Sequence, residues 1–226
     1  TLTLRVADAS GNFSFCTTSV IVLDSIKPTV SCKPDTIQLN ASGVAVATPS
    51  MIRASASDNC TSLTYTINSV PSVTYTCANL GLNTAILTAR DSSGNTKSCT
   101  TTIRVEDLLA PDANCRPTQT LNLTLGGTTG TLTPAMINLV STDNCNLGPF
   151  SLSRTAFSCS DILTSPHTVT LYVTDNSGNI DSCTSQVSVV DNTPPTAACQ
   201  PATLYLPNST VTATPTTVLV APTGDN

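Results

Sequence analysis

Of 226 residues only 10% are charged, and the formal net charge is −5. Nine Lys and Arg with no cluster among them give a nucleic-acid backbone little to bind, and no apolar run is long enough to cross a bilayer. Trp is absent and Phe and Tyr number four each, so the sequence predicts small cores of Val, Leu, Ile and Ala held closed by the ten cysteines. That cysteine density implies an oxidising compartment outside the cytosol.

The chain opens on Thr1 to Val6, where Leu2, Leu4 and Val6 alternate with polar residues as in a half-buried strand. The turn Asp8 to Asn12 follows, with Gly11 where positive φ is needed, and the next strand carries Cys16, Thr18, Val20 and Val22 on one face. Thr29 to Asn40 reads as an edge strand in two pieces. Pro34 removes a ladder donor, and Ile37 and Leu39 fall out of phase with Val30 and Cys32, as they would if the strand hopped between sheets. Val44-Ala45-Val46, a helical turn begun by Thr48-Pro49, a loop at Asp58-Asn59-Cys60, and strands over 63–67, 73–77, 84–90 and 99–105 complete the order.

The nine-residue pattern of Asp91 to Cys99 recurs at Asp8 to Cys16 and Asp175 to Cys183, with Gly11, Gly94 and Gly178 at intervals of 83 and 84 residues. A fixed period of this size is a repeat architecture. The expected organisation is the C-terminal strands of a truncated repeat at 1–26, complete repeats at 27–109 and 110–193, and the N-terminal strands of another at 194–226. Both ends read as cuts in a longer chain. About seven short strands per unit, separated by Gly, Pro, Asn and Asp turns, predict an all-β fold: tandem immunoglobulin-like β-sandwiches arranged end to end.

Thr29-Val30-Ser31-Cys32-Lys33-Pro34 after Pro28, Asp58-Asn59-Cys60, Asp91 to Cys99 and the closing Val105-Glu106-Asp107 together resemble the hyalin-repeat (HYR) module. The likeness is to the tandem form in long surface proteins of gliding and biofilm bacteria of Bacteroidota type, and it covers the whole chain. The module often carries an aromatic before its Thr-Pro; here Val46-Ala47 stand there. The resemblance implies an immunoglobulin-like fold and an adhesive or stalk role.

Two pairings of the strand cysteines compete. Cys16–Cys32, Cys99–Cys115 and Cys183–Cys199 join neighbours across linkers, but Cys115 lies beyond a full strand and a linker from Cys99, too far for Cα atoms that must approach within about 7 Å. Cys32–Cys99 and Cys115–Cys183 join the first and last strands of one repeat, which lie side by side in a sandwich, and this is the expected pairing. Cys60–Cys77 and Cys145–Cys159 then close the middle of each unit, and Cys16 and Cys199 find partners outside the fragment.

Nothing points to catalysis: no nucleophile elbow, phosphate loop or metal-spaced Cys/His cluster occurs, and His167 has no counterpart in the other repeats. No organic cofactor is expected. The chemical alternative is calcium, for which Asp24, Asp107 and Asp191 at the junctions are the candidates, approached by Asp58-Asn59 and Asp143-Asn144. The glycine turns lack the dense carboxylates of a dedicated calcium loop, so a structural turn is the primary reading. Glycosylation candidates are the sequons at Asn12, Asn40, Asn59, Asn122 and Asn208, and Ser25 and Thr36 in Asp-Ser/Thr-aliphatic triplets. The expected function is a non-catalytic extracellular fibre or adhesive segment, whose partners are flanking repeats of the same long chain, further copies of it, or surface glycans. The alternative is a spacer in a secreted protein whose enzymatic or carbohydrate-binding domain lies elsewhere.

Overall fold

The computed structural model describes residues 1–60, 62–123 and 129–194, together with Cys199, Pro201 and Thr203. The strands expected over 194–226, and Asn208 with them, otherwise lie outside the described residues. The chain divides into two units, Thr1–Leu39 with Val44–Glu106, and Asn40–Gly43 with Asp107–Asn226. The division falls between Glu106 and Asp107, where the sequence suggested 109/110. Asp107 goes with the second unit because its carboxylate and carbonyl are bonded by Asn144 and Asn179 of that unit.

In the first unit β1 (Leu2–Ala7) and β2 (Phe13–Thr18) form a hairpin. The sandwich follows: β3 (Thr29–Cys32), β4 (Asp35–Gln38), β5 (Val44–Ala47), the helical turn α1 (Pro49–Ile52), β6 (Arg53–Ser57), β7 (Leu63–Ile67), β8 (Val73–Thr76), β9 (Gly81–Asp91) and β10 (Thr96–Glu106). One sheet has the order β4-β10-β9-β7, and the pairs β3–β6 and β5–β8 supply the facing layer. The first strand does change sheets: β3 pairs antiparallel with β6, and after Pro34 β4 pairs parallel with β10. Ile52, Ile67, Leu87, Ile103 and Val105 fill the interior, and Ala85 and Ala89 are fully buried beside them.

Strand β6 alternates only alanine (Ala54, Ala56) with serine, too weak an apolar pattern for the sequence to announce it. Its ladder with β3 is fastened by hydroxyl pairs, Thr29 Oγ1 to Ser57 Oγ at 2.7 Å and Ser31 Oγ to Ser55 Oγ at 2.6 Å. Cross-strand Ser/Thr pairs stabilise a sheet much as apolar pairs do.

The second unit contains β11 (Thr118–Asn122), β12 (Thr129–Thr131), α2 (Pro134–Ile137), β13 (Leu147–Leu152), β14 (Ala156–Ser158), β15 (His167–Asp175) and β16 (Ile180–Val190). Its main sheet, β11-β16-β15-β13, again sets the first strand parallel to the last. Single bridges, Asp112 to Thr142 and Cys115 to Asn138, stand where β3 and β6 pair in the first unit. A bulge between Leu147 and Phe150 brings β13 against Asp175; a Cβ on Gly148 would sit 2.9 Å from the Asp175 carbonyl oxygen, which is why glycine occupies it. The core is not purely aliphatic, contrary to expectation. Phe157 is the largest fully buried side chain, opposite Gly130, and Tyr75 is buried at the matching place in the first unit. Both sit two residues before a cysteine, on short strands whose pattern is too brief to show a period.

Candidate functional site

The recurrent turn is built around its aspartate. In the second unit Asp175 Oδ1 accepts from the N–H of Ser177 and of Asn179, and Oδ2 accepts from Asn179 Nδ2 at 2.7 Å. Asp8 makes the same three bonds with Ser10 and Asn12, and Asp91 bonds Asn95 through backbone and side chain alike. Gly11, Gly94 and Gly178 have φ of 87°, 95° and 93°, a region that glycine enters without strain.

From this turn the asparagine reaches the junction aspartate. Asn95 Nδ2 donates to the Asp24 carbonyl, and Asn179 Nδ2 to the Asp107 carbonyl, each at 3.1 Å. The Asp-Asn-Cys loop completes the arrangement. Asn59 Nδ2 donates to Asp24 Oδ1 and Asn144 Nδ2 to Asp107 Oδ1, while Cys60 N–H and Cys145 N–H turn back onto Asp58 Oδ2 and Asp143 Oδ2. The same atoms thus form the same lattice in both units. Carboxylate oxygens of Asp107, Asp143 and Asp175 lie within 4.8 Å of one another, as do ligand atoms of Asp24, Asp58 and Cys60. Asp191 begins the same lattice, accepting from Thr193 N–H at 2.8 Å. Its remaining counterparts lie outside the described residues.

In the first unit the Ile26 N–H, the Cys60 thiol and Asn59 hold the Asp24 carboxyl below its ordinary value. The same contact with Asp24, followed by burial, pushes the Cys60 thiol up, so it stays protonated.

Disulfides join Cys32 to Cys99 and Cys115 to Cys183, with Cα separations of 5.9 and 5.7 Å. The expected Cys60–Cys77 and Cys145–Cys159 bridges are not made: Cys60 carries a thiol, and Cys77 and Cys145 are disulfide-bonded, but not to Cys60 and Cys159. Cys60 enters β7, where Leu63 faces Asp91, and Cys77 leads out of β8 towards Gly81, so the two stand at opposite ends of the 11-residue β9. At about 3.3 Å per residue that is roughly 30 Å. In the second unit Leu147 faces Asp175 just after Cys145, and Cys159 precedes the far end of β15 at His167. Cys16 and Cys199 are exposed thiols.

His167 accompanies a structural cluster. Its Nε2 lies 2.8 Å from the Asp161 carbonyl oxygen, and its ring lies on Phe157. Asp161 Oδ2 accepts from Arg154 Nη2 and from Ser158 N–H, each at 2.7 Å, and Arg154 lies over Phe157. Arg154 first, then the Ser158 N–H, hold the Asp161 carboxyl down at about 2. A depressed folded-state value contributes stability that is complete above the ordinary carboxylate range and is lost as pH falls towards 2. Thermal melts between pH 5 and pH 2 are expected to show wild type losing its advantage over Asp161→Asn across that interval; a constant difference would place the effect elsewhere.

The glycosylation candidates Asn12, Asn40, Asn59, Asn122, Ser25 and Thr36 are all exposed. The amides of Asn12 and Asn59 already donate to Asp8 and Asp24, and Asn122 Oδ1 accepts from Asn192.

Strand order, a first strand parallel to the last, and a bridge between those strands define immunoglobulin-like β-sandwich repeats. No protein-family model and no curated protein matches the chain. Among solved structures, the N-terminal four Ig domains of Dscam1 isoform 6.9 align with TM-score 0.41 and 11% identity, over 82% of this chain and 53% of that one. An I-band fragment from titin aligns at TM-score 0.36 and 10% identity, over 76% and 70%. The protocadherin gammaB7 EC3-6 cis-dimer structure aligns at 0.37 and 13%, over 90% and 61%. The chain spans about half the length of the first of these.

Proposed function

We propose that the chain is a stretch of a secreted structural or adhesive fibre made of tandem, disulfide-bridged immunoglobulin-like modules of the hyalin-repeat kind, and that it has no catalytic role. The observation that carries this reading is the bridge between first and last strands in both units. Load passing along such a chain enters a module near its first strand and leaves by its last. A covalent link between the two bypasses the intervening fold. The repeat at constant period multiplies the device, and the oxidising compartment that forms disulfides is the one in which a surface fibre works.

The hairpin β1–β2 supports a chain of further modules. Leu4 faces Cys16 in the register that sets Leu87 opposite Cys99 and Leu171 opposite Cys183. Leu87 and Leu171 are fully buried, whereas Leu4 is 56% exposed. This exposure supports reading the hairpin as the end of another module, one that strands from a flanking repeat or a further copy of the chain would cover. Surface glycans on the exposed Ser25, Thr36 or sequon asparagines fit the same setting.

Force spectroscopy of the oxidised chain tests the mechanical reading. Between Cys32 and Cys99 the sequence separation is 67 residues, and between Cys115 and Cys183 it is 68. Each bridge locks away roughly 230 Å of contour at about 3.4 Å per residue. Unfolding steps are expected to lengthen by about that amount per unit once reductant is present. Equal steps with and without reductant would exclude load-bearing bridges.

A further inference from the structure

We propose that Asp107, Asp143 and Asp175 form a calcium site at the entry of the second unit. Three acidic side chains, Asp107 just after β10, Asp143 in the Asp-Asn-Cys loop and Asp175 at the end of β15, bring carboxylate oxygens within 4.8 Å of one another. Among the described residues no Lys, Arg or His forms an ion pair with any of them. Like charges this close repel, and a chain that folds them together leaves the charge to be balanced by something it does not itself supply.

Burial makes the point sharper. Asp107 is only 4% exposed and Asp175 only 3%. Asp107 Oδ1 is occupied by Leu109 N–H and Asn144 Nδ2, but Oδ2 is enclosed and has no hydrogen-bond partner. Asp143 repeats the pattern: Oδ2 accepts from Cys145 N–H, and Oδ1 is enclosed and unpartnered. Buried carboxylate oxygens without donors are rare in folded proteins and call for an explanation. In Asp107 and Asp143 one oxygen is fixed by N–H groups while the other is held in readiness, which is how protein frameworks orient carboxylate ligands, and Asp175 is held by Ser177 and Asn179 through both of its oxygens.

The donor set selects the ion. Carboxylate oxygens without imidazole suit a hard cation over zinc or copper. Oxygens that share one calcium ion stand no more than about 5.2 Å apart, and the oxygens of this group all lie within 4.8 Å of one another. Calcium also accepts the irregular geometry of ligands drawn from separate loops, completing its shell with water, where magnesium demands a near-ideal octahedron. The first unit repeats the framework, with Asp58 Oδ1 likewise unpartnered, but there the Cys60 thiol stands beside Asp24. A soft, protonated sulfur is a poor calcium ligand, which makes the second unit the stronger site.

Asp107 directly follows β10, so an ion held by it also ties the start of the second unit to its Asp-Asn-Cys loop and its glycine turn.

The test is calorimetric titration of calcium chloride into the full chain after chelator treatment, with thermal melts in parallel. Wild type is expected to bind calcium and to melt higher in its presence. Asp107→Asn and Asp143→Asn should each remove one equivalent of calcium or weaken it by roughly tenfold or more. Both variants keep the Oδ1 or Oδ2 acceptor that the N–H groups use. In chelator they should melt at or above wild type, because one of three repelling charges is gone. Melting well below wild type in chelator would instead mark purely structural carboxylates and overturn the proposal. So would the absence of binding at millimolar calcium, an unchanged isotherm in both variants, or equal protection by magnesium.

Discussion

Replacing Cys32 and Cys99 together by alanine is expected to lower the stability of the first unit by about 4 kcal/mol, and the Cys115/Cys183 pair should behave alike in the second. The bridges close loops with sequence separations of 67 and 68 residues, so their removal returns that chain entropy to the unfolded state. Small domains have only roughly 5–15 kcal/mol in hand. The interior of the first unit offers little to compensate: Ala47, Ala85 and Ala89 are among its fully buried residues, and among its described residues Tyr75 is the one buried aromatic side chain. For a domain of this size the loss corresponds to a fall of roughly 20 °C in melting temperature. Denaturant unfolding of the variant in parallel with reduced wild type measures it. A change below about 1 kcal/mol would mean that packing alone closes the sandwich.

Much of this architecture was legible because each signal was local. Gly11, Gly94 and Gly178 fix a turn through one backbone angle, Pro34 ends one strand and frees the next, and the parallel pairing of β4 with β10 follows from a strand that changes sheets. Of the junction aspartates Asp24, Asp107 and Asp191, which stand out by their repeat-equivalent places, the first two lie beside Asp58 and Asp143. What the sequence hid depended on the third dimension. Asp175 and Asp91 read as turn residues because their partners lie within four positions; their nearness to the junction appears only when the sheet folds over. Cys60 and Cys77 look like a closed loop along the chain, yet β7 and β8 lie in different sheets and carry them to opposite ends of β9. Tyr75 and Phe157 are buried by short strands that leave no periodic trace.

Asp175→Ala is expected to destabilise the second unit by about 3 kcal/mol, and Asp8→Ala to do far less, although both remove the same three hydrogen bonds. The difference is burial. Asp8 lies in an exposed hairpin, where water replaces the lost acceptor for Ser10 and Asn12. Asp175 is 3% exposed, so the N–H groups of Ser177 and Asn179 would lose a charged acceptor in a place water reaches poorly. The damage also travels. Asn179 Nδ2 is shared among Asp175 Oδ2 and the carbonyls of Asp107 and Leu109, and without Asp175 its side chain is no longer aimed at the junction. Asp175→Asn separates the two contributions, because its remaining oxygen still accepts from both backbone N–H groups while its amide faces Asn179 Nδ2 as a donor. Measured in chelator, so that bound ions play no part, the alanine variant should fall well below the asparagine variant, and the asparagine variant should show faster hydrogen exchange at Leu109 with little loss of global stability. Equal losses at Asp8 and Asp175 would show that the turn's bonds matter only locally and that burial adds nothing to them.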